Sequence, residues 1–168
     1  GTIAEVTEIA RGSRRLRTVV VDGHARGVPG TARSGPDGRL YVPVEAHEDA
    51  RPPRAQTLER EREYRAIVEE IIELRGAGSR VSDFIRSIRE IGSLADTAGL
   101  SPDLTHAQKV SLLEQLDPVR RLELAIELQG EVLAELQVRA RIRDGIQDDT
   151  QRQQREFLLR KQLDSIRK

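Results

Sequence analysis

Asp117-Pro118-Val119-Arg120-Arg121-Leu122-Glu123-Leu124-Ala125-Ile126 opens a stretch that runs to Lys168 without another proline. Asp117 supplies an N-cap acceptor, and Pro118 takes the first helical position, where a missing N–H costs nothing. Only Gly130 and Gly145 interrupt a run of good helix formers. Apolar residues recur at Val119, Leu122, Ile126, Leu133 and Leu136 in steps of three and four, with one missed beat at Gln129. That spacing predicts a seam facing other helices. Unbroken, the element would be about 75 Å long at ~1.5 Å per residue, more than one small core can cover. Such a helix connects parts. Beyond Leu136 the seam thins to Ile142 and Ile146 among charges, and Thr150 is placed to cap a fresh start, so a kink is expected between Gly145 and Thr150. Phe157, Leu158 and Leu159, with Leu163 and Ile166, then restore an apolar stripe that no other segment is free to cover.

Working upstream, the preceding segments read as short helices packed on the first part of this long one. Thr105-His106-Ala107-Gln108 fits a capping box leading into Val110, Leu112, Leu113 and Leu116. Leu94–Ala98 holds another turn or two. A helix from Ser82 presents Phe84, Ile88 and Ile91. Before it, Tyr64, Ile67, Val68, Ile71 and Ile72 fall at i, i+3, i+4, i+7 and i+8, an amphipathic helix capped at Thr57 and ending near Gly76. Residues 57–136 thus form a helical bundle, and 137–168 extend its longest helix. Residues 48–56, with Arg51-Pro52-Pro53-Arg54, form a stiff linker.

Residues 1–47 hold about half of the glycines and several of the prolines, with β-branched runs between them at Thr2–Ile9, Leu16–Asp22 and Leu40–Val44. Leu16, Thr18 and Val20 alternate with Arg17, Val19 and Val21, the period of a strand. Arg11 to Arg15 would close a hairpin between the first two runs, and Ser34-Gly35-Pro36-Asp37-Gly38 is a turn before the third. Pro43 places that third run at an edge or a strand end. Three short strands make a marginal sheet with open pairing edges. The chain also opens inside a strand, so upstream strands are expected to be lost and the sheet to be partial.

Composition narrows the functions. With 28 basic and 28 acidic residues the chain has no net charge, so no global field favours nucleic acid or an anionic membrane. The four aromatics, Tyr41, Tyr64, Phe84 and Phe157, provide no base-stacking platform. The absence of cysteine excludes disulfides and thiolate metal sites. No apolar run reaches the ~18 residues of a membrane span and the N-terminus does not read as a signal peptide, so a cytoplasmic location is expected. His24, His47 and His106 have no ligand spacing, and neither Glu69-Glu70 nor Asp148-Asp149 sits in an apolar enclosure. Neither a phosphate-cradling loop nor a nucleophile elbow is present. No catalytic, cofactor-binding or metal-binding residue is expected in this chain. The Arg11–Arg17 cluster is flanked by Glu5, Glu8 and Asp22 and reads as a hairpin loop.

The run Gln154-Arg155-Glu156-Phe157-Leu158-Leu159-Arg160-Lys161-Gln162-Leu163-Asp164-Ser165-Ile166-Arg167-Lys168 resembles the Lon protease family at the junction before its ATPase module. Gly1-Thr2-Ile3-Ala4-Glu5-Val6, Thr18-Val19-Val20-Val21-Asp22-Gly23 and the helical middle resemble the later part of the Lon N-terminal region. The resemblance implies an α+β chain, mostly α: a partial, small β-rich (PUA-like) subdomain, a helical bundle and a long C-terminal helix. It implies the non-catalytic substrate-recognition and oligomerisation region of an ATP-dependent, AAA+ serine protease that degrades misfolded and regulatory proteins. ATP and Mg belong to a module outside this chain. The implied partners are unfolded or degron-bearing substrate proteins and further copies within a homohexamer, with no membrane and no nucleic acid. Candidate contacts are the sheet edge at Thr18, Val19, Val20 and Val21, open to β-augmentation, and Phe157, Leu158 and Leu159 for packing between domains or subunits. The rival reading, a coiled-coil adaptor or scaffold unrelated to proteolysis, explains the seam but neither the glycine-rich β start nor the C-terminal motif.

Overall fold

The computed structural model describes residues 1–11 and 17–166. Among the described residues five strands precede five helices: β1 Thr2–Arg11, β2 Arg17–Pro29, β3 Arg33–Ser34, β4 Leu40–Tyr41, β5 Val44–His47, then α1 Arg54–Leu74, α2 Ser79–Ser87, α3 Ile91–Asp96, α4 His106–Glu114 and α5 Pro118–Ile166, with a 3-10 turn at Thr97–Leu100. The architecture is α+β and mostly helical, as expected. The hairpin loop expected from Arg11 to Arg15 lies outside the described residues beyond Arg11, as do the side chains of Leu163 and Ile166.

The three-stranded sheet has the order β1-β2-β5 and is antiparallel throughout. β2 runs well past the expected end at Asp22 because its glycines serve close packing rather than turns. A Cβ on Gly27 would collide with side-chain carbons of Val44 and Ile3, so only glycine lets the neighbouring strands close on it. The run expected as one strand at Leu40–Val44 is split. Leu40–Tyr41 pairs with β3 across the Ser34–Gly38 turn, where Gly38 has φ of 75°, while Val44 begins β5 after Pro43.

Local chemistry sets the helix ends. α1 begins at Arg54, ahead of the expected Thr57 cap, since Pro53 fixes its own φ and helical geometry follows at once. Thr57 lies inside the helix and donates to Glu61 Oε1 at 2.7 Å. At the other end Gly76 has φ of 63°, with Gly76 N–H donating to Glu73 O and Ala77 N–H to Ile72 O, a Schellman closure. Thr105 and Gln108 form the expected capping box, and Asp117 Oδ1 accepts from Val119 N–H at 2.8 Å and Arg120 N–H at 3.0 Å. α5 is continuous over 49 residues, about 73 Å at ~1.5 Å per residue. The fresh helix start expected at Thr150 does not occur: the helix runs unbroken through Gly145–Thr150, and Thr150 Oγ1 donates back to Ile146 O at 2.8 Å instead of capping a new start.

The core lies where α1 and α3 pack on the first turns of α5. It joins Tyr64, Ile71, Ile85, Leu94, Ala98, Leu112, Leu122, Ala125 and Val132. Two details differ from the sequence reading. Ile85, not Phe84, is the buried apolar residue of α2, and Phe84 is 52% exposed. Gln129, the missed beat in the seam, is buried, with its Nε2 donating to Ala98 O at 3.5 Å. Among the described residues no helix is long and apolar enough to cross a membrane.

Candidate functional site

The β1–β2 ladder carries two bulges, and one of them decides its surface chemistry. Val6 pairs with Val21 and Ile9 with Val19, while Glu8 pairs with Val20, leaving Thr7 as an extra residue on β1. In a regular strand Val6 and Ile9, three apart, would point to opposite faces. The bulge rotates the strand by one residue and puts both on the face of Val19 and Val21. Cross-strand partners share a face, so these four form one apolar patch, each of them about half exposed. The opposite face carries Glu5, Glu8, Thr18, Val20 and Asp22, and is acidic.

Of the expected contact residues, Val19 and Val21 therefore lie on the apolar face and Thr18 and Val20 on the acidic one. Val6 and Ile9 escaped the sequence reading, because their three-residue spacing gives no strand signal until the bulge is known. The edge itself is open. β5 pairs with β2 only from Arg26 to Pro29, so between Thr18 and Ala25 the outer side of β2 has no strand partner among the described residues.

A buried charge network holds this sheet on the bundle. Arg121 of α5 is 0% exposed, and its Nη1 and Nη2 each donate to one oxygen of Asp49 at 2.8 Å. Nη1 also reaches Asp96 Oδ1 at 3.4 Å, Nη2 donates to Leu116 O at 3.2 Å and Nε to Gln115 O at 2.8 Å. All five guanidinium hydrogens are thereby used. From β2, Arg26 donates to Asp96 Oδ1 at 2.7 Å and to the Leu113 carbonyl. The carboxylate of Asp49 fits only because Gly92 of α3 has no Cβ, which would overlap Oδ2. The hydrogen bonds from Arg121 hold the Asp49 carboxyl below its ordinary value, outweighing burial. Burial alone would lower the Arg121 pKa, but Asp49 and Asp96 together raise it. An open cleft of about 740 Å³ lies over this junction, between Thr2 and His24 on the sheet side and Ser93 and Asp96 on α3. Arg26 pairs there with Asp96, Asp49 pairs with Arg121 behind it, and among the described residues no group of His, Cys, Asp and Glu is placed to hold a metal.

The second expected contact surface lies elsewhere. Among the described residues Val132 is the last buried one of α5, and Leu158 is 26 residues beyond it, about 39 Å along the axis at ~1.5 Å per residue. Phe157, Leu158 and Leu159 are all exposed. Consecutive on a helix, they wrap around it instead of lining one stripe, whereas Val138, Ile142 and Ile146, four apart, share a face. The fold does not bring the sheet patch and the helix tip together.

The family model of the ATP-dependent protease La (LON) substrate-binding domain matches residues 1–129. A Lon protease of Mycolicibacterium smegmatis is 37% identical over 168 residues, covering 100% of this chain and 21% of the relative. A Lon protease of Salinispora arenicola is 38% identical over 169 residues, again with 100% and 21% coverage. The solved N-terminal domain of a Mycobacterium avium complex Lon protease superposes with a TM-score of 0.70 at 29% identity, covering 77% of this chain and 69% of that one. The chain spans about a fifth of the length of the curated relatives it matches.

Proposed function

This chain belongs to the family of Lon substrate-binding domains, and from that premise we propose that it captures unfolded polypeptide on the face and open edge of the β1–β2 ladder. The observation that carries the reading is the patch of Val6, Ile9, Val19 and Val21, four apolar side chains left half exposed on one side of a sheet. An extended client adds main-chain hydrogen bonds at the edge of β2 between Thr18 and Ala25, and its apolar side chains fall on the patch. Such single contacts are weak. Presentation of several copies in a homohexamer supplies the avidity, and α5 carries the captured chain's anchor toward an ATP-hydrolysing module and a serine protease. In that arrangement residues 1–47 capture, 48–56 link, 57–136 support and 137–168 transmit, with Phe157, Leu158 and Leu159 packing between domains or subunits. ATP and Mg act in the motor and not on this chain, and the assembly works in the cytoplasm.

Fluorescence anisotropy with a labelled, permanently unfolded protein tests the capture surface. Val19→Asp with Val21→Asp is expected to weaken binding about tenfold by placing unpaired charges on the patch. Both positions are exposed, so the melting temperature should move by no more than about 2 °C. Unchanged affinity in a folded double variant would refute the assignment.

A further inference from the structure

The segment that leads into α1 faces a second cleft, of about 400 Å³, on the other side of the Arg51–Glu90 contact from the junction. Arg51, Arg54, Arg62, Arg65, Arg86 and Arg89 line it against only two acids, Glu61 and Glu90. In a chain of zero net charge this is a local concentration of positive potential. Some of that charge is committed. Arg86 pairs with Glu69, Arg51 lies 3.9 Å from Glu90, and Arg65 donates to the carbonyls of Ile85 and Ile88. Arg54, Arg62 and Arg89 are exposed and have no ion-pair partner among the described residues. The floor between them is apolar, with Leu58, Ile88 and Ile91.

We propose that this cleft binds an acidic segment of a client polypeptide, with Arg54, Arg62 and Arg89 pairing its carboxylates and Leu58, Ile88 and Ile91 receiving an apolar side chain between them. The inference rests on the substrate-binding reading above and gives that reading a class of client. The arginine fork matches a carboxylate with two parallel hydrogen bonds. Nucleic acid fits less well. Its unbroken phosphate run would meet Glu61 and Glu90, and no aromatic side chain lines the cleft to stack a base.

A labelled peptide alternating Glu with Leu, compared with the same peptide carrying Gln for Glu, tests this on the full chain by anisotropy. The acidic peptide should bind about tenfold more tightly than the neutral one, with the margin shrinking as salt rises. Arg54→Glu, Arg62→Glu and Arg89→Glu together should erase the preference, and the corresponding Gln variant should erase it without reversing charge. Melting followed by circular dichroism confirms that each variant folds. Binding of a neutral unfolded protein should survive these changes, and acidic-peptide binding should survive Val19→Asp with Val21→Asp. Equal affinity for both peptides, or a preference retained in the triple variants, overturns the inference while leaving capture at the sheet intact. A single-stranded oligonucleotide that binds more tightly and displaces the acidic peptide overturns it in favour of nucleic acid.

Discussion

Replacing Asp49 with Asn is the sharpest test of how sheet and bundle are held together. The substitution preserves shape but turns one of the two oxygens facing Arg121 into an N–H donor aimed at a donor, and removes the counter-charge of a guanidinium that is 0% exposed. Removing one partner of a fully buried pair costs about 3–5 kcal/mol. Here the cost is smaller, because the Asp49 side chain is 32% exposed and Asp96 remains 3.4 Å from Nη1. We expect about 2 kcal/mol, or roughly 4–8 °C in melting temperature for a chain of this size. Chemical denaturation of wild type, Asp49→Asn, Arg121→Met and the double variant gives the coupling directly, expected at about 1–2 kcal/mol. The acid limb is a second readout. The folded carboxyl lies below its ordinary value of 3.8, so its contribution is complete above that pH and is lost as pH falls through the folded value. The Asn variant should lack this part of the acid dependence. Hydrogen exchange should also quicken in β5 before it does in the α1–α5 pair, since Asp49 lies two residues beyond the end of that strand. An Asn variant within about 0.5 kcal/mol of wild type, or a coupling below that, would mean that the Asp49–Arg121 pair does not hold sheet and bundle together.

Gly92→Ala should destabilise by about 1–3 kcal/mol by overpacking, although Ala is the better helix former by ~1 kcal/mol, because its Cβ overlaps a carboxylate that Arg121 holds in place. In an Asp49→Ala background the same change should be neutral or stabilising, which denaturant midpoints will show. Tyr64 is 1% exposed, and burial pushes its phenol up to about 12 despite the opposing hydrogen bond with Thr97. A raised folded value means the contribution is full below the ordinary value of 10.0 and lost as pH rises toward 12. Unfolding free energy should fall by about 2–3 kcal/mol over that window in wild type, and a Tyr64→Phe chain that lost as much would contradict this.

Much of what depends on neighbours within one turn was legible from the residues alone, the exceptions being Thr57 and Thr150, which read as caps but lie inside helices. Asp117-Pro118, the Thr105–Gln108 capping box and the Gly76 terminus work through hydrogen bonds spanning a few residues, and the steps of three and four in α5 follow from helix geometry. The apolar tail at Phe157–Leu159 was legible too, as a pattern that outran the available core. What tertiary structure decided is the set of positions whose environment comes from far along the chain. Arg121 reads as one charge among many until Asp49, 72 residues away, closes on it. Gln129 reads as a gap in the seam until the carbonyl of Ala98 meets it. Val6 and Ile9 read as opposed until pairing with β2 forces a bulge at Thr7. The physical reason is the same in each case. Helix periodicity and capping are fixed by the order of residues along the backbone, whereas burial of a charge and the facing of a strand are fixed by a partner whose distance in sequence carries no local signature.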